Sequence, residues 1–177
     1  HDALPIFHAV REDPVREGML WVGTDNGVHV SLDDGGSWFR LRNNLPPTPV
    51  YWLTIQERFD DLVVGTYGRG FWILDDITPI QRLTQAIVDS DVHLFQPRQA
   101  YRFLPRAAPM EVHDDPAQGD NPRFGASFHY YLGAEPEGDV TLCILDESGN
   151  LIETLDATRD VGINRVWWDL RPMSSRQ

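Results

Sequence analysis

Apolar residues alternate with polar ones, or with glycine, through most of the first eighty positions. This period of two is the signature of half-buried strands. It predicts strands at 6–10, 20–24, 28–32 and 50–55, and a further alternating run through 62–76. The runs are rich in Val, Trp, Phe and Tyr, which suit a pleated surface. Asp25-Asn26-Gly27 separates two of them, and Asn-Gly supplies the positive φ angles of a tight hairpin. Tyr67-Gly68-Arg69-Gly70 fills the matching place further on. Residues 78–89 form a short helical turn or a loop, with Leu83 and Ile87 four apart. Residues 92–95 and 100–103 read as short extended pieces, and 105–122, with four prolines, reads as a linker or mobile loop. Alternation returns at 127–132, 139–145, 151–155 and 164–170, and this spacing predicts an antiparallel sandwich.

The strongest feature is an internal repeat. Residues 19–34 read MLWVGTDNGVHVSLDD and residues 62–76 read LVVGTYGRGFWILDD. Val22-Gly23-Thr24 matches Val64-Gly65-Thr66 at an offset of 42 residues. An apolar run precedes each copy. A period of roughly 40–45 residues with several short strands per copy is that of a β-propeller blade. A helical solenoid of similar period would need 3.6-residue periodicity, which these runs lack.

Ser31-Leu32-Asp33-Asp34-Gly35-Gly36-Ser37-Trp38 matches the Asp-box pattern S-x-D-x-G-x-x-W. Ser31 and Asp33 can bond the backbone N–H groups of their own turn. Gly35 can take the positive φ that closes it, and Trp38 can pack under it as the next strand begins. This makes the box a turn-stabilising device between two strands. Calcium binding or catalysis through Asp33 and Asp34 is the alternative, but the spacing of an EF-hand loop is missing.

These two copies together resemble the BNR/Asp-box repeat β-propeller proteins, which include sialidase-like, xyloglucanase-like and sortilin-like propellers. The segments HLFQPRQAYRF, NPRFGASFHYYL, DVTLCILDESGNLIETL and GINRVWWDLRP resemble the C-terminal region of large secreted bacterial propeller proteins, where the last blades lead into an Ig-like module. The resemblance implies an all-β chain: the last two blades of a β-propeller at 1–80, a linker with short strands at 81–123, and a partial Ig-like β-sandwich at 124–177. It implies a noncatalytic structural and interaction segment of a larger secreted or periplasmic protein. Its partners would be the remaining blades and a protein or polysaccharide ligand. A second implication is a glycoside hydrolase parent whose carbohydrate cleft this segment borders. A propeller needs about 4–8 blades to close. The expectation is therefore a piece of a longer protein, with open strand edges and an apolar blade face that favour association or instability. The sequence opens on His1, so any signal peptide is expected to lie outside it.

Composition narrows the partners. The 177 residues hold 27 acidic and 15 basic side chains, for a formal charge of −12, which argues against a nucleic-acid backbone. No apolar stretch approaches the ~20 residues of a membrane span. One cysteine, Cys143, excludes an intrachain disulfide and any CxxC metal site. No cofactor or metal is expected.

Catalytic residues are not selected by any motif. Sialidase-like chemistry would draw on Arg40, Arg42, Arg58, Arg69, Tyr51, Tyr67 and Glu57, but nothing local singles them out. Glycosidic cleavage needs two carboxylates about 5–9.5 Å apart. The Asp pairs 33/34, 60/61, 75/76 and 114/115 are sequence neighbours in turns, and neighbours on a strand point apart. His113-Asp114-Asp115 is a candidate ligand cluster without a second ligand pair at a recognised spacing, and His29 and His129 fit a solvent or inter-strand face. The aromatic residues of the first eighty positions pack between blades or offer contact surface. Tyr67 and Arg69, on a glycine-flanked turn, are the candidates for a surface contact. Trp167 and Trp168 point to opposite sides of their strand.

Overall fold

The computed structural model describes residues 6–100 and 123–171. The expected loop at 105–122, with His113, Asp114 and Asp115, lies outside the described residues, as does the extended piece at 101–103. The chain is all-β and forms two compact units, His1–Arg82 and Leu83–Gln177.

The first unit holds two antiparallel meanders. Strands β1 (Phe7–Glu12), β2 (Leu20–Thr24), β3 (Gly27–Ser31) and β4 (Phe39–Leu41) form one sheet in chain order. Strands β5 (Val50–Gln56), β6 (Asp61–Thr66) and β7 (Phe71–Leu74) form the other. The sequence repeat is reproduced as a repeat of register. Val10 faces Val22 as Leu53 faces Val64, and Val22 faces His29 as Val64 faces Trp72. Both first strands break register at the same place, skipping His8 in β1 and Tyr51 in β5. A bulge at an equivalent site in two copies is a retained feature of the unit, not a local accident.

The loops repeat as well. Thr24 Oγ1 donates to the carbonyl of Gly27 at 3.0 Å, and Thr66 Oγ1 donates to that of Gly70 at 2.7 Å. The N–H of Asp25 donates to Ile6 O at 3.2 Å, as that of Tyr67 donates to Pro49 O at 2.9 Å. The N–H of Asp34 reaches Gly18 O at 2.8 Å, as that of Ile77 reaches Asp60 O at 2.7 Å. Gly18 and its counterpart Asp60 both take positive φ, 73° and 53°. The hairpin between β2 and β3 differs from the expected Asn-Gly turn. Thr24 pairs with Gly27, so Asp25 and Asn26 form the loop with negative φ, and the positive φ of 124° falls on Gly27, the first residue of β3.

The two sheets share one core. Ala9, Trp21, Val28 and Val30 of the first pack with Val50, Leu53, Leu62 and Val64 of the second, together with Met19 and Ile77. The sheets approach closely at Gly23, where a Cβ would lie 2.5 Å from the carbonyl oxygen of Val50 and 2.7 Å from its Cγ1. Among the described residues the second meander has no counterpart to β4. Its Leu74-Asp75-Asp76 runs into Ile77, without the glycines of the Asp-box, and the chain enters a single helical turn, α1 (Thr78–Gln81). That turn is tied to the first sheet by the buried Asp13. Its carboxylate accepts from Trp21 Nε1 at 3.0 Å, from Gln81 Nε2 at 3.0 and 3.1 Å, and from the N–H groups of Val15 and Arg16. Such a shared acceptor satisfies a buried indole N–H that would otherwise be costly.

The second unit begins with the short helix α2 (Gln85–Val88), capped by Thr84. Strand β8 (Val92–Leu94), inside the expected linker, is the edge of a three-stranded sheet with β9 (Ala126–Leu132) and β12 (Gly162–Trp168), in the order β12-β9-β8. A two-stranded sheet pairs β10 (Val140–Leu145) with β11 (Leu151–Ala157). Among the described residues this unit therefore has five strands, fewer than the seven of an Ig-like sandwich. Strand β12 stops before the expected 170, because Leu170 turns to a φ of 60°. Tyr130 Oη donates to Thr158 O, and Thr158 Oγ1 donates to Asn164 Oδ1 at 2.6 Å, which anchors the β11–β12 connection.

Candidate functional site

The Asp-box closes on itself. The N–H of Gly35 donates to Ser31 Oγ at 2.8 Å, and the Ser31 hydroxyl donates to Asp33 Oδ1 at 2.8 Å. Asp33 Oδ1 also accepts from the N–H of Ser37 at 2.8 Å, and Oδ2 accepts its hydroxyl at 2.7 Å. These bonds to Ser37, with that from Ser31, hold the Asp33 carboxyl below the usual carboxylate range. Gly35 has a φ of 84°, and a Cβ there would lie 3.6 Å from the Trp38 ring. Asp34 takes a φ of 55°. Both oxygens of Asp33 are engaged inside the turn, and among the described residues no group of three or more His, Cys, Asp or Glu side chains could hold a metal ion.

The second feature is an aromatic cluster that starts from the bulges. A bulge re-aims one side chain out of the alternation. His8 and Tyr51, skipped at equivalent positions, meet with ring centroids 4.4 Å apart. Tyr51 also meets Tyr67 edge-on at 5.8 Å. Tyr67 sits on the β6–β7 turn, and the turn is held by Thr66 and by Trp72 Nε1, which donates to Arg69 O at 3.0 Å. The side chains of Tyr67 and Arg69 are exposed. This places a tilted ring pair and a third ring on one end of the first unit, the third on the turn that also carries Arg69. Flat rings with a polar edge and a cation suit the faces and hydroxyls of a sugar, or a peptide side chain. No sequence motif singles out His8 or its contact with Tyr51. A signal is nonetheless present, because both residues break the alternation at the same point of the repeat.

The remaining candidates stay apart from this cluster or are engaged elsewhere. Arg40 Nη2 donates to Asn26 O at 2.7 Å, and Arg58 lies over the Phe59 ring at 5.3 Å. Arg42 and Glu57 are exposed. Asp61 Oδ1 accepts from the N–H of Asp76, and Asp76 Oδ1 accepts from Thr78, so these carboxylates hold turns as Asp33 does. His29 is half-buried on β3, and burial, then the Arg40 charge, holds its imidazole below the ordinary value. His129 is buried on β9, where its Nε2 accepts from Arg165 Nε of the paired β12 at 2.6 Å. It is thus an inter-strand histidine and not a solvent-facing one. Trp167 and Trp168 are both half-buried, and Trp168 Nε1 donates to Arg171 O at 3.1 Å.

Among the described residues, one concavity of about 420 Å³ is open to solvent and another of about 40 Å³ lies inside the first unit. A cavity of about 40 Å³ lies between the sheets of the first unit, lined by Val28, Leu41, Leu45, Leu62, Val64 and Trp72. It is close to the size of one water molecule and no ligand site. The larger one, in the second unit and lined by Glu135, Asp139, Arg159 and Asp160, is polar. No helix among the described residues is long and apolar enough to cross a membrane. No protein-family model, no curated protein and no solved structure matches this chain significantly.

Proposed function

We propose that this chain is a noncatalytic structural and interaction segment of a larger secreted or periplasmic BNR/Asp-box propeller protein. Its first unit supplies two successive blades, and its second an Ig-like module. The observation that carries this reading is the repeated register of the two meanders. Strand pairing, bulge position and three loop hydrogen bonds recur, and the second sheet stacks on the first across a common core. A propeller is built by radial repetition of such antiparallel sheets, and this supports the reading. The residues of the Asp-box serve the turn, which fits a structural role. The His8–Tyr51–Tyr67 cluster with Arg69 is the contact surface for a protein or polysaccharide ligand.

The alternative is a glycoside hydrolase parent whose carbohydrate cleft this segment borders, with the acid/base carboxylates in other blades. Within this chain Asp33, Asp61 and Asp76 serve turns, so a flanking sequence that carries such a carboxylate pair would favour the alternative. The reading is tested by solving the structure of the chain expressed together with the coding sequence around it. Further meanders in the same register, stacked on the first two, are expected. A flanking sequence without such repeats would overturn it.

A further inference from the structure

The strands of the first unit divide its charge between two ends. One end holds the β2–β3 turn, the connection 42–49 and the β6–β7 turn, with His8 and Tyr51 near the starts of β1 and β5. This end is common to both sheets, because the His8 and Tyr51 rings meet there and Gly23 packs on Val50. Among the described residues it carries Arg40, Arg42 and Arg69, with His8 and a single carboxylate, Asp25. Arg40 belongs to it because its Nη2 donates to Asn26 O in the β2–β3 turn at 2.7 Å. That acceptor is neutral, so the positive charge is retained. The Asp pairs 33/34, 60/61 and 75/76 all lie at the opposite end, with Glu12 and Glu57. A chain of net charge −12 thus keeps a local excess of positive charge at one end of this unit. Such a distribution, more than the total, selects what approaches a given surface.

The aromatic cluster lies at the same end. Tyr51 is 49% and Tyr67 72% exposed, and their rings meet at 77°. The two turns and the 42–49 connection are internal to the chain. They sit at strand ends and not on a sheet face, so further sheets stacked on either face leave them open.

We propose that this end binds an acidic polysaccharide, one that carries carboxylate or sulfate on its sugar rings. A sugar face packs on an exposed tyrosine ring, and the arginine forks pair with the charged ring substituents. A peptide has less to use here. Extended peptides are held by main-chain bonds to an open strand edge, whereas this end offers turns, and an acidic motif would draw on the arginines alone. The inference rests on the contact-surface reading above and adds the charge of the ligand to it.

Titration calorimetry on the full chain tests it with tetragalacturonate, its neutral methyl ester, a sulfated tetrasaccharide and tetraglutamate. At low salt one or both of the charged sugars should bind, which also names the charged group. The ester and tetraglutamate should bind at least several-fold more weakly. Arg42→Gln and Arg69→Gln should each weaken binding of the charged sugar by roughly 2–5-fold, and added salt should weaken it too. Both side chains are exposed, so the circular dichroism spectrum should not change. Arg58→Gln, at the opposite end, should leave binding as it is. Four results would each overturn the inference: an ester that binds as tightly as the acid, tetraglutamate that binds as tightly as the sugars, binding indifferent to Arg42 and Arg69, or no binding of either charged sugar. Tyr67→Ala separates this failure from that of the contact surface. A neutral sugar or a peptide whose binding that variant weakens would keep the surface while removing its preference for acidic sugars.

Discussion

Gly23 and Val50 touch through their backbones: no side chain fits at Gly23 without displacing the carbonyl of Val50, 2.5 Å from where its Cβ would be. This contact belongs to the pairing of the two sheets and not to either sheet alone. Gly23→Ala should therefore destabilise the first unit by about 1–3 kcal/mol through overpacking. Gly65→Ala, whose Cβ would meet the Trp52 Cβ at 3.2 Å, should cost less, under about 1 kcal/mol. Denaturant unfolding of the two variants checks the difference, and equal losses would argue against the stacking.

Ser31 is fully buried and bonded to Gly35 and Asp33. Ser31→Ala should lower stability by about 1–2 kcal/mol by leaving the Gly35 N–H unsatisfied. Asp33, which is exposed, acts through pH. Its carboxyl is held below 3.8 in the folded state, so its contribution is complete above that value and is lost as pH falls through the folded pKa. Asp33→Asn should flatten acid unfolding in that range relative to the wild type, as followed by tryptophan fluorescence.

His29 has the opposite sign. Its folded pKa lies below 6.5, so the unfolded chain binds the proton more readily than the folded one. Stability is unaffected above that value and falls as pH drops below it. Trp72 occupies the equivalent place in the second sheet, so an aromatic ring suits the site. His29→Phe should remove part of the loss in melting temperature between pH 6.5 and the folded pKa of His29. An unchanged pH profile would show that burial and Arg40 do not act on this ring.

Asp13 joins Trp21 to Gln81, 68 residues along the chain from it. Asp13→Ala leaves both donors without an acceptor and should cost about 2–3 kcal/mol. The unfolding midpoint in urea measures it, with the slope unchanged if the fold is retained.

The repeat is legible in the sequence because the two copies keep the Val-Gly-Thr segment, a glycine after the turn and the same alternation. Ser31, Asp33, Gly35 and Trp38 are legible because the bonds of the Asp-box are local. What sequence does not supply is long-range. Asp13 stands far from Gln81, and neither residue carries a pattern that announces the other. His8 and Tyr51 read as ordinary strand positions until the bulges turn them toward each other. The strand Val92–Leu94 is hidden in an expected linker because a three-residue edge strand is defined by its partner β9 more than by its own alternation.

The contact surface gives a further test. Tyr67→Ala and Arg69→Ala should each reduce binding of an oligosaccharide or peptide ligand several-fold without changing the melting temperature, because both side chains are exposed. A glycan and peptide panel read by calorimetry decides it. Binding that survives both changes would place the ligand elsewhere.

The most direct measurement is a nuclear Overhauser spectrum of the methyl-labelled chain. Cross-peaks from the Val50 methyls to the Gly23 α-protons, and between the His8 and Tyr51 rings, are expected alongside those inside each sheet. Intact cross-peaks within β1–β4 and within β5–β7, with none between them, would mean that the copies fold as separate sheets and would contradict the stacking of one sheet on the other.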